Sequence, residues 1–239
     1  MRTKQLYLDD SYLKEMDSTI LEVQPEAEGK WRAVLDQTVF YPMGGGQPTD
    51  QGTFENNNWK IEVYMVMLKD REIWHYFNSS TPLKVGDKIH GTINWDRRYK
   101  NMRAHSAGHV IDFVVHILGY SPKPLMPIKG DHGKKPFIVY QGALTEDIKH
   151  KLEDKSNELI EKDLKFSCLF QPLEDLQKEA IYLQPGLPND KPLRTLRLES
   201  IGAVADGGTQ VHSTKEVGKI AIPSIETKEG NTIVHYQIT

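Results

Sequence analysis

The sequence predicts an α+β fold, with a small β-barrel over residues 1–95 and a mixed α and β domain over residues 96–239. Two observations carry this expectation. From the N-terminus to about Trp95 the chain shows only short apolar–polar alternations separated by turn residues, which is the pattern of closely spaced strands. From Asp96 onward, stretches of helical periodicity alternate with strand-like ones, and the domain boundary is placed at that change. The 239 residues can bury a sizeable core as one large domain or two small ones.

Barrel strands are expected at residues 5–8, 18–23, 31–35, 59–68, 73–77 and 88–93. Between the third and fourth lies Phe40-Tyr41-Pro42-Met43-Gly44-Gly45-Gly46-Gln47-Pro48-Thr49-Asp50-Gln51-Gly52. Successive glycines let the backbone adopt positive φ and approach another group closely, while Gln47 and Asp50 supply polar handles. No Lys-Ser/Thr follows and no helix opens after it, so it is neither a phosphate loop nor a dinucleotide fingerprint. Its glycines alone read as an elaborate surface turn.

The second stretch is Arg103-Ala104-His105-Ser106-Ala107-Gly108-His109-Val110-Ile111-Asp112. Asp96 is a candidate N-cap, apolar residues recur at Tyr99, Met102, Val110, Phe113, Val114 and Ile117, and Gly119 is a stop, so the segment reads as a helix. Four-residue spacing puts His105 and His109 on one face, one turn apart, where two nitrogens can meet one metal ion. Asp112 and His116 continue that stripe. Asp112 either accepts a hydrogen bond from the second nitrogen of a ligand histidine or faces water, and spacing leaves both open. With nine histidines in the chain, HxxxH alone also describes an ordinary histidine pair on a half-buried face.

Residues 121–135 form a loop rich in proline, lysine and glycine, whose His132 is either a further site residue or, as the reading preferred here, a loop histidine. A strand at 137–140 follows, and Thr145 opens a charged helix reaching about Lys165, with Ile148, Leu152, Leu159 and Ile160 inward. Next come a strand at 165–170, a short helix at 173–180, a Pro/Gly-rich loop at 184–192 and a strand at 193–201. Cys168, the only cysteine, is read as a buried structural thiol, and its solitude excludes an intramolecular disulfide and a cysteine-pair zinc site. The third stretch is Asp206-Gly207-Gly208-Thr209-Gln210-Val211, where a Gly-Gly turn lets Asp206 and Gln210 converge on one point.

Charged residues make up 26% and hydrophobic residues 38%, a soluble globular composition, and no apolar run approaches the roughly 20 residues that cross a bilayer. Met1-Arg2-Thr3-Lys4 leads directly into a strand-like segment without a signal-peptide pattern, so a cytoplasmic location is expected. A formal charge of −3 argues against DNA or long nucleic-acid tracts as partners while allowing the grip of one RNA end.

Together the three stretches resemble the AlaX family, the free-standing relatives of the editing domain of alanyl-tRNA synthetase. The segment from Tyr41 to Gly52 is similar to the family's glycine-rich motif, His105-Ser106-Ala107-Gly108-His109 to its first metal motif, and Gly207-Gly208-Thr209 with Thr214-Lys215-Glu216-Val217-Gly218 to the body of its second. The resemblance covers nearly the whole chain and matches the medium-length members. One departure falls on the chemistry: where the family pattern has cysteine and histidine as ligands, this chain has Asp206 and Gln210. A harder carboxylate and a neutral amide replace a thiolate and an imidazole.

The resemblance implies a barrel followed by an editing domain of the alanyl/threonyl-tRNA synthetase type, which hydrolyses serine or glycine wrongly esterified to tRNA for alanine and engages the acceptor end of the mischarged tRNA. A pocket for alanine discriminates against such near-isosteres by only about 1–3 kcal/mol, and a second, hydrolytic sieve supplies the rest. It implies His105, His109, Asp206 and Thr209 as catalytic residues, and zinc, weakly held or absent, at His105, His109, Asp206 and Gln210. Substrate contacts are expected from Gly44, Gly45, Gly46 and Gln47, and from a basic cluster of Arg97, Arg98, Lys100 and Arg103. Loss of two family ligand types points instead to a non-catalytic tRNA-end or small-ligand binding module, and the fold also permits a hydrolase of a different small ester or amide. Ser106 stands where a metalloprotease helix has its glutamate base, which excludes that chemistry.

Overall fold

The computed structural model of the chain describes residues 2–80, 83–144 and 146–239. It divides into two compact units, Met1–Asn101 and Met102–Thr239. No helix among the described residues is long and apolar enough to cross a membrane.

The first unit contains β1 (Lys4–Gln5), α1 (Leu6–Asp9), β2 (Glu15–Ala27), β3 (Lys30–Leu35), β4 (Gln37–Thr38), β5 (Gly52–Asn56), β6 (Trp59–Lys69), β7 (Glu72–Asn78) and β8 (Lys88–Ile93). Six strands close into a barrel in the order β2-β3-β7-β6-β5-β8, all neighbours antiparallel. Five lie where alternation puts them. The strand expected at 5–8 is instead the two-residue β1 and a single helical turn closed by Asp10 N–H on the Leu6 carbonyl, burying only Tyr7. The sixth barrel strand, β5, escaped the pattern because Phe54 is its one fully inward residue. Ile20, Leu35, Phe54, Val63, Ile73, Phe77 and Ile89 fill the interior. Register shifts near Glu22 and Met65 bend β2 and β6 around it, as bulges do in small barrels.

The three-glycine run is a tight hairpin turn. Gln47 N–H donates to the Gly44 carbonyl at 2.9 Å and Gly44 N–H returns the bond at 3.3 Å. Gly45 and Gly46 have φ of +55° and +78°, the double left-handed conformation that glycine adopts without strain. Gly44 and Gly45 are exposed and Gly46 half-buried, whereas Gln47 is buried.

The basic cluster does not form one cationic surface. Arg98 is wholly buried beside the equally buried Asp50, donates through Nε to Asp50 Oδ2 at 2.9 Å, and also donates to the Ser11 and Val39 carbonyls. Asp50 Oδ2 accepts the Tyr41 N–H as well. Arg98 therefore fastens the glycine-rich segment from within and has no surface for RNA. Arg97 is half-buried, donating to the Thr49 carbonyl at 2.9 Å, and Lys100 is exposed.

The second helix, α2 (Trp95–Ile117), crosses the division between the units. Its cap is Asn94, whose Oδ1 accepts the Arg97 N–H at 3.0 Å; the expected cap, Asp96, lies inside the first turn. The second unit continues with β9 (Met126–Asp131), β10 (Phe137–Gln141), α3 (Lys149–Glu161), β11 (Phe166–Gln171), α4 (Leu173–Leu176), β12 (Leu193–Leu198), β13 (Gly202–Ala205), α5 (Thr214–Val217), β14 (Ile220–Lys228) and β15 (Asn231–Ile238). A four-stranded sheet has the order β14-β15-β10-β9 and a three-stranded one the order β11-β12-β13. Arg103 is half-buried in this unit, donating to the Glu216, Val217 and Thr239 carbonyls.

Several strands here were not legible. β9 occupies the expected loop, where Pro127 is tolerated because β9 is an edge strand. β13 and the β14–β15 hairpin also went unread. The expected start of the charged helix, Thr145, lies outside the described residues; α3 buries Leu152, Leu159 and Ile160. Asn157 fixes α3 to β14 by donating to the Ile220 carbonyl and accepting its N–H. Cys168 is exposed, not buried, because β11 is an edge strand whose Cys168 and Phe170 share the outer face.

Two stability predictions follow from the barrel. Arg98→Met should strand a buried carboxylate and cost about 3–5 kcal/mol in urea denaturation. His75 is fully buried, with Nε2 2.8 Å from Thr38 Oγ1 and Nδ1 3.3 Å from the Ala33 carbonyl. Burial lowers its pKa from 6.5 to about 4. The unfolded chain therefore binds the proton first. This contribution to stability is complete above pH 6.5 and is lost as pH falls toward 4, about 3 kcal/mol in all. Denaturation midpoints measured between pH 7 and 4 should show this slope, and His75→Gln should flatten it.

Candidate active site

The polar stripe of α2 is buried like its apolar one: His105, Ser106, His109 and Asp112 are all at most 8% exposed. A helix that buries two imidazoles and a carboxylate needs partners for them, and the turn after β13 supplies one in Asp206. Its backbone N–H is held by the Arg194 carbonyl on β12.

Asp206 divides its oxygens between two sets of neighbours. Oδ1 lies 3.5 Å from His105 Nε2 and 3.5 Å from His109 Nε2, and accepts the Gly208 N–H at 3.1 Å. Oδ2 faces Arg194 Nη1 at 3.4 Å and accepts from Gln210 Nε2 at 3.0 Å. Arg194 also donates to the Gly208 carbonyl at 2.8 Å. Ser106 donates to Gln210 Oε1 at 2.6 Å and accepts the Val211 N–H. The serine in the HxxxH helix thus clamps the strip that carries Asp206.

On its other side, His109 Nδ1 is 3.6 Å from Asp112 Oδ2. Asp112 accepts from the Tyr140 hydroxyl at 2.7 Å and the Tyr182 hydroxyl at 3.1 Å, so it does not face water, and it lies beside His109 without accepting a hydrogen bond from it. Neither His109 nitrogen has a partner within hydrogen-bonding distance among the described residues.

Glycines make the close approaches. A Cβ on Gly208 would lie 2.1 Å from His105 Cε1, and one on Gly108 would lie 2.6 Å from His132 Cε1. His132 follows β9, is buried, and stacks on His105 with ring centroids 4.4 Å apart. Its Nδ1 is 2.6 Å from the Tyr236 hydroxyl, which donates to the Ala104 carbonyl at 2.9 Å. Sequence reasoning preferred a loop histidine at 132 over a further site residue, and the structure puts it beside His105. The missed signal was Gly108, a residue unfavourable inside a helix by about 1 kcal/mol and usually there to admit a neighbour.

The charges separate sharply. Burial, followed by His132, pushes His105 well below its ordinary range. Burial opposes protonation of His109, yet Asp112 and Asp206 outweigh it and raise the pKa to about 9. Burial would raise Asp206, but His105, His109 and Arg194 hold it well below the usual carboxylate range. Burial and then Asp112 keep the Tyr140 and Tyr182 hydroxyls protonated as donors.

His105, His109 and Asp206 offer three ligand atoms within 4.8 Å of one another. Separations of 3.5 Å suit neighbouring ligands of one ion with bonds of about 2.0–2.1 Å, and His109 Nε2, which makes no hydrogen bond among the described residues, suits the same use. The donor set therefore fits a divalent metal. Gln210 does not stand as the expected fourth ligand: its oxygen is taken by Ser106 and its amide nitrogen faces Asp206, so it holds a ligand in place. Thr209 is fully buried and offers no surface for reading a substrate. Arg194, Tyr140, Tyr182 and Tyr236 were not found from sequence, because single residues on distant strands leave no spacing signal.

Glycine substitutions check this arrangement. Gly207 has nothing within 4 Å of a Cβ position, so Gly207→Ala should leave stability within about 0.5 kcal/mol. Gly208→Ala should cost about 1–3 kcal/mol in thermal or urea denaturation and displace the His105 ring resonances.

Comparisons with known proteins give the family. A family model described as class II (A) tRNA synthetases matches residues 10–97. The alanyl-tRNA editing protein AlaX-M of Saccharolobus solfataricus is 34% identical over 242 residues, covering 99% of both chains. AlaX-M of Methanosarcina barkeri is 31% identical over 235 residues, covering 95% of this chain and 94% of its own. AlaX-L of Pyrococcus horikoshii is 31% identical over 232 residues, which span 95% of this chain and 56% of that longer protein. Similarity that runs end to end with two AlaX-M proteins makes this chain a member of the AlaX family of alanyl-tRNA editing proteins.

Proposed function

We propose that the protein is a cytoplasmic trans-editing hydrolase that deacylates tRNA for alanine mischarged with serine or glycine, with the barrel of residues 1–95 assisting an editing domain over 96–239. The observation that carries this reading is the buried convergence of His105, His109 and Asp206, each held by neighbours that leave its reactive atom facing the other two. Water would attack the ester carbonyl that joins the aminoacyl group to the terminal ribose. The C–O bond to the ribose breaks, the amino acid leaves as its carboxylate, and the ribose oxygen takes up a proton. Asp112 orients His109 through Nδ1, Arg194 and Gln210 orient Asp206 through Oδ2, and Ser106 keeps Gln210 in place. A divalent ion such as zinc, held by His105, His109 and Asp206, would supply Lewis-acid polarisation of the carbonyl or of a water. The exposed Gly44–Gly45 tip and Lys100 are proposed to touch the acceptor end of the RNA.

Release of serine or glycine from the mischarged tRNA by the purified protein tests the reading. Asp206→Ala should lower the deacylation rate at least about 100-fold, and by calorimetric titration should weaken zinc binding at least about 10-fold. A second reading draws on Arg194 and Gln210, which satisfy Asp206 without a metal: a binding module for the tRNA end. Tight, salt-dependent binding of the charged tRNA with no amino acid release would establish that module instead.

A further inference from the structure

A buried acceptor next to the turn that carries Asp206 is left without a partner. Residues 179–184 run beside β13, the last strand of its sheet: Ala203 N–H donates to the Glu179 carbonyl at 3.0 Å, Ile181 N–H donates to the Ala203 carbonyl at 3.1 Å, and Ala180 and Ala203 form a parallel bridge. Side chains along this stretch go to two sides. Leu183 packs on the apolar cluster of Leu176, Leu193 and Ala203, whereas the Tyr182 hydroxyl meets Asp112 Oδ2 at 3.1 Å. Two residues beyond Tyr182, Gln184 donates through Nε2 to the carbonyl of Ala205 at 3.3 Å, and Asp206 is the next residue.

That contact fixes the orientation of the amide. A carbonyl can only accept, so the nitrogen of Gln184 faces Ala205 and the oxygen does not. Oε1 is buried and makes no hydrogen bond among the described residues. A buried acceptor left unpaired calls for a donor from outside the chain, a water or a ligand. Its surroundings favour a ligand, since Tyr182 holds Asp112 beside His109 and the Gln184 amide is tied to the residue before Asp206.

An editing site for alanine tRNA also has a discrimination to make that size cannot supply. The correctly attached alanine is smaller than serine and enters any pocket that admits serine. A site that hydrogen-bonds a substrate hydroxyl rejects the analogue without it, because its own buried group is then left unpaired. We propose that Gln184 Oε1 accepts a hydrogen bond from the hydroxyl of the seryl ester, so that Gln184 is a specificity-determining residue that favours serine and spares alanine. This rests on the hydrolase reading above and narrows its substrate to serine over glycine.

The test measures kcat/KM for deacylation of tRNA for alanine charged in turn with serine, glycine and alanine. The parent protein should favour serine. Gln184→Leu keeps the bulk and removes the acceptor; its kcat/KM on the seryl ester should fall about 10- to 100-fold without a fall on the alanyl ester, so the preference for serine over alanine drops by the same factor. Unreactive adenosine derivatives carrying the amino acid through an amide examine the parent protein directly, so the inference is tested even where the variant folds poorly. The seryl amide should bind about 10-fold more tightly than the alanyl amide and shift the Gln184 side-chain amide resonances, which the alanyl amide should leave in place. Equal losses on all three esters, an unchanged preference in Gln184→Leu, or equal affinity for the two amides would overturn the proposal. A parent protein that releases no amino acid from any of the esters would overturn the hydrolase reading, and this inference with it.

Discussion

A carboxylate that is almost without solvent must be neutralised, and much of the second unit is arranged around meeting that requirement for Asp206. Isolated burial of such a charge costs several kcal/mol, whereas a ring of donors and cations makes it stable. Here the ring is drawn from α2, β12 and the turn after β13: His105 and His109 at Oδ1, Arg194 and Gln210 at Oδ2, and the Gly208 N–H closing the turn. Arg194 and Gln210 are themselves fixed by further partners, the Gly208 carbonyl and Ser106, so moving either would disturb several contacts. This explains why a polar stripe on α2 can be as buried as the apolar stripe opposite.

The same arrangement accounts for the residue types at the two positions that depart from the family pattern. A cysteine and a histidine would each offer one soft or borderline donor directly. Asp206 keeps a single anionic oxygen on the histidine side, and Gln210 acts on the far oxygen instead of beside the histidines. The three groups that could hold an ion are two imidazoles and one carboxylate, a composition found in open catalytic sites rather than closed structural ones. His109, raised to about 9 between Asp112 and Asp206, would have to shed a proton to ligate an ion, so metal occupancy and its protonation compete.

The barrel illustrates a parallel economy. Arg98 and Asp50 form a fully buried pair that joins the glycine-rich segment to the first turn of α2, and the two left-handed positions of its turn are taken by Gly45 and Gly46, which adopt them without strain. From sequence the arginine looked like part of an RNA-facing cluster, because charge and helical spacing are visible there and burial is not. Its partner lies 48 residues away, a distance that spacing arguments do not reach.

The sequence by itself determined the class of fold, five of the barrel strands, the histidine-bearing helix and the three glycine-marked stretches, since each is written in local periodicity or turn chemistry. It also placed His105, His109 and Asp206 as a group, through motif order rather than through any visible contact. Only the tertiary structure decided what joins them. It turned Gln210 and Ser106 into supports, buried Arg98 and Thr209, exposed Cys168, and brought His132, Arg194 and three tyrosines to the site from strands or loops without a shared motif. The physical reason is that burial and hydrogen-bond satisfaction are properties of pairs distant along the chain, whereas propensity and periodicity are properties of neighbours.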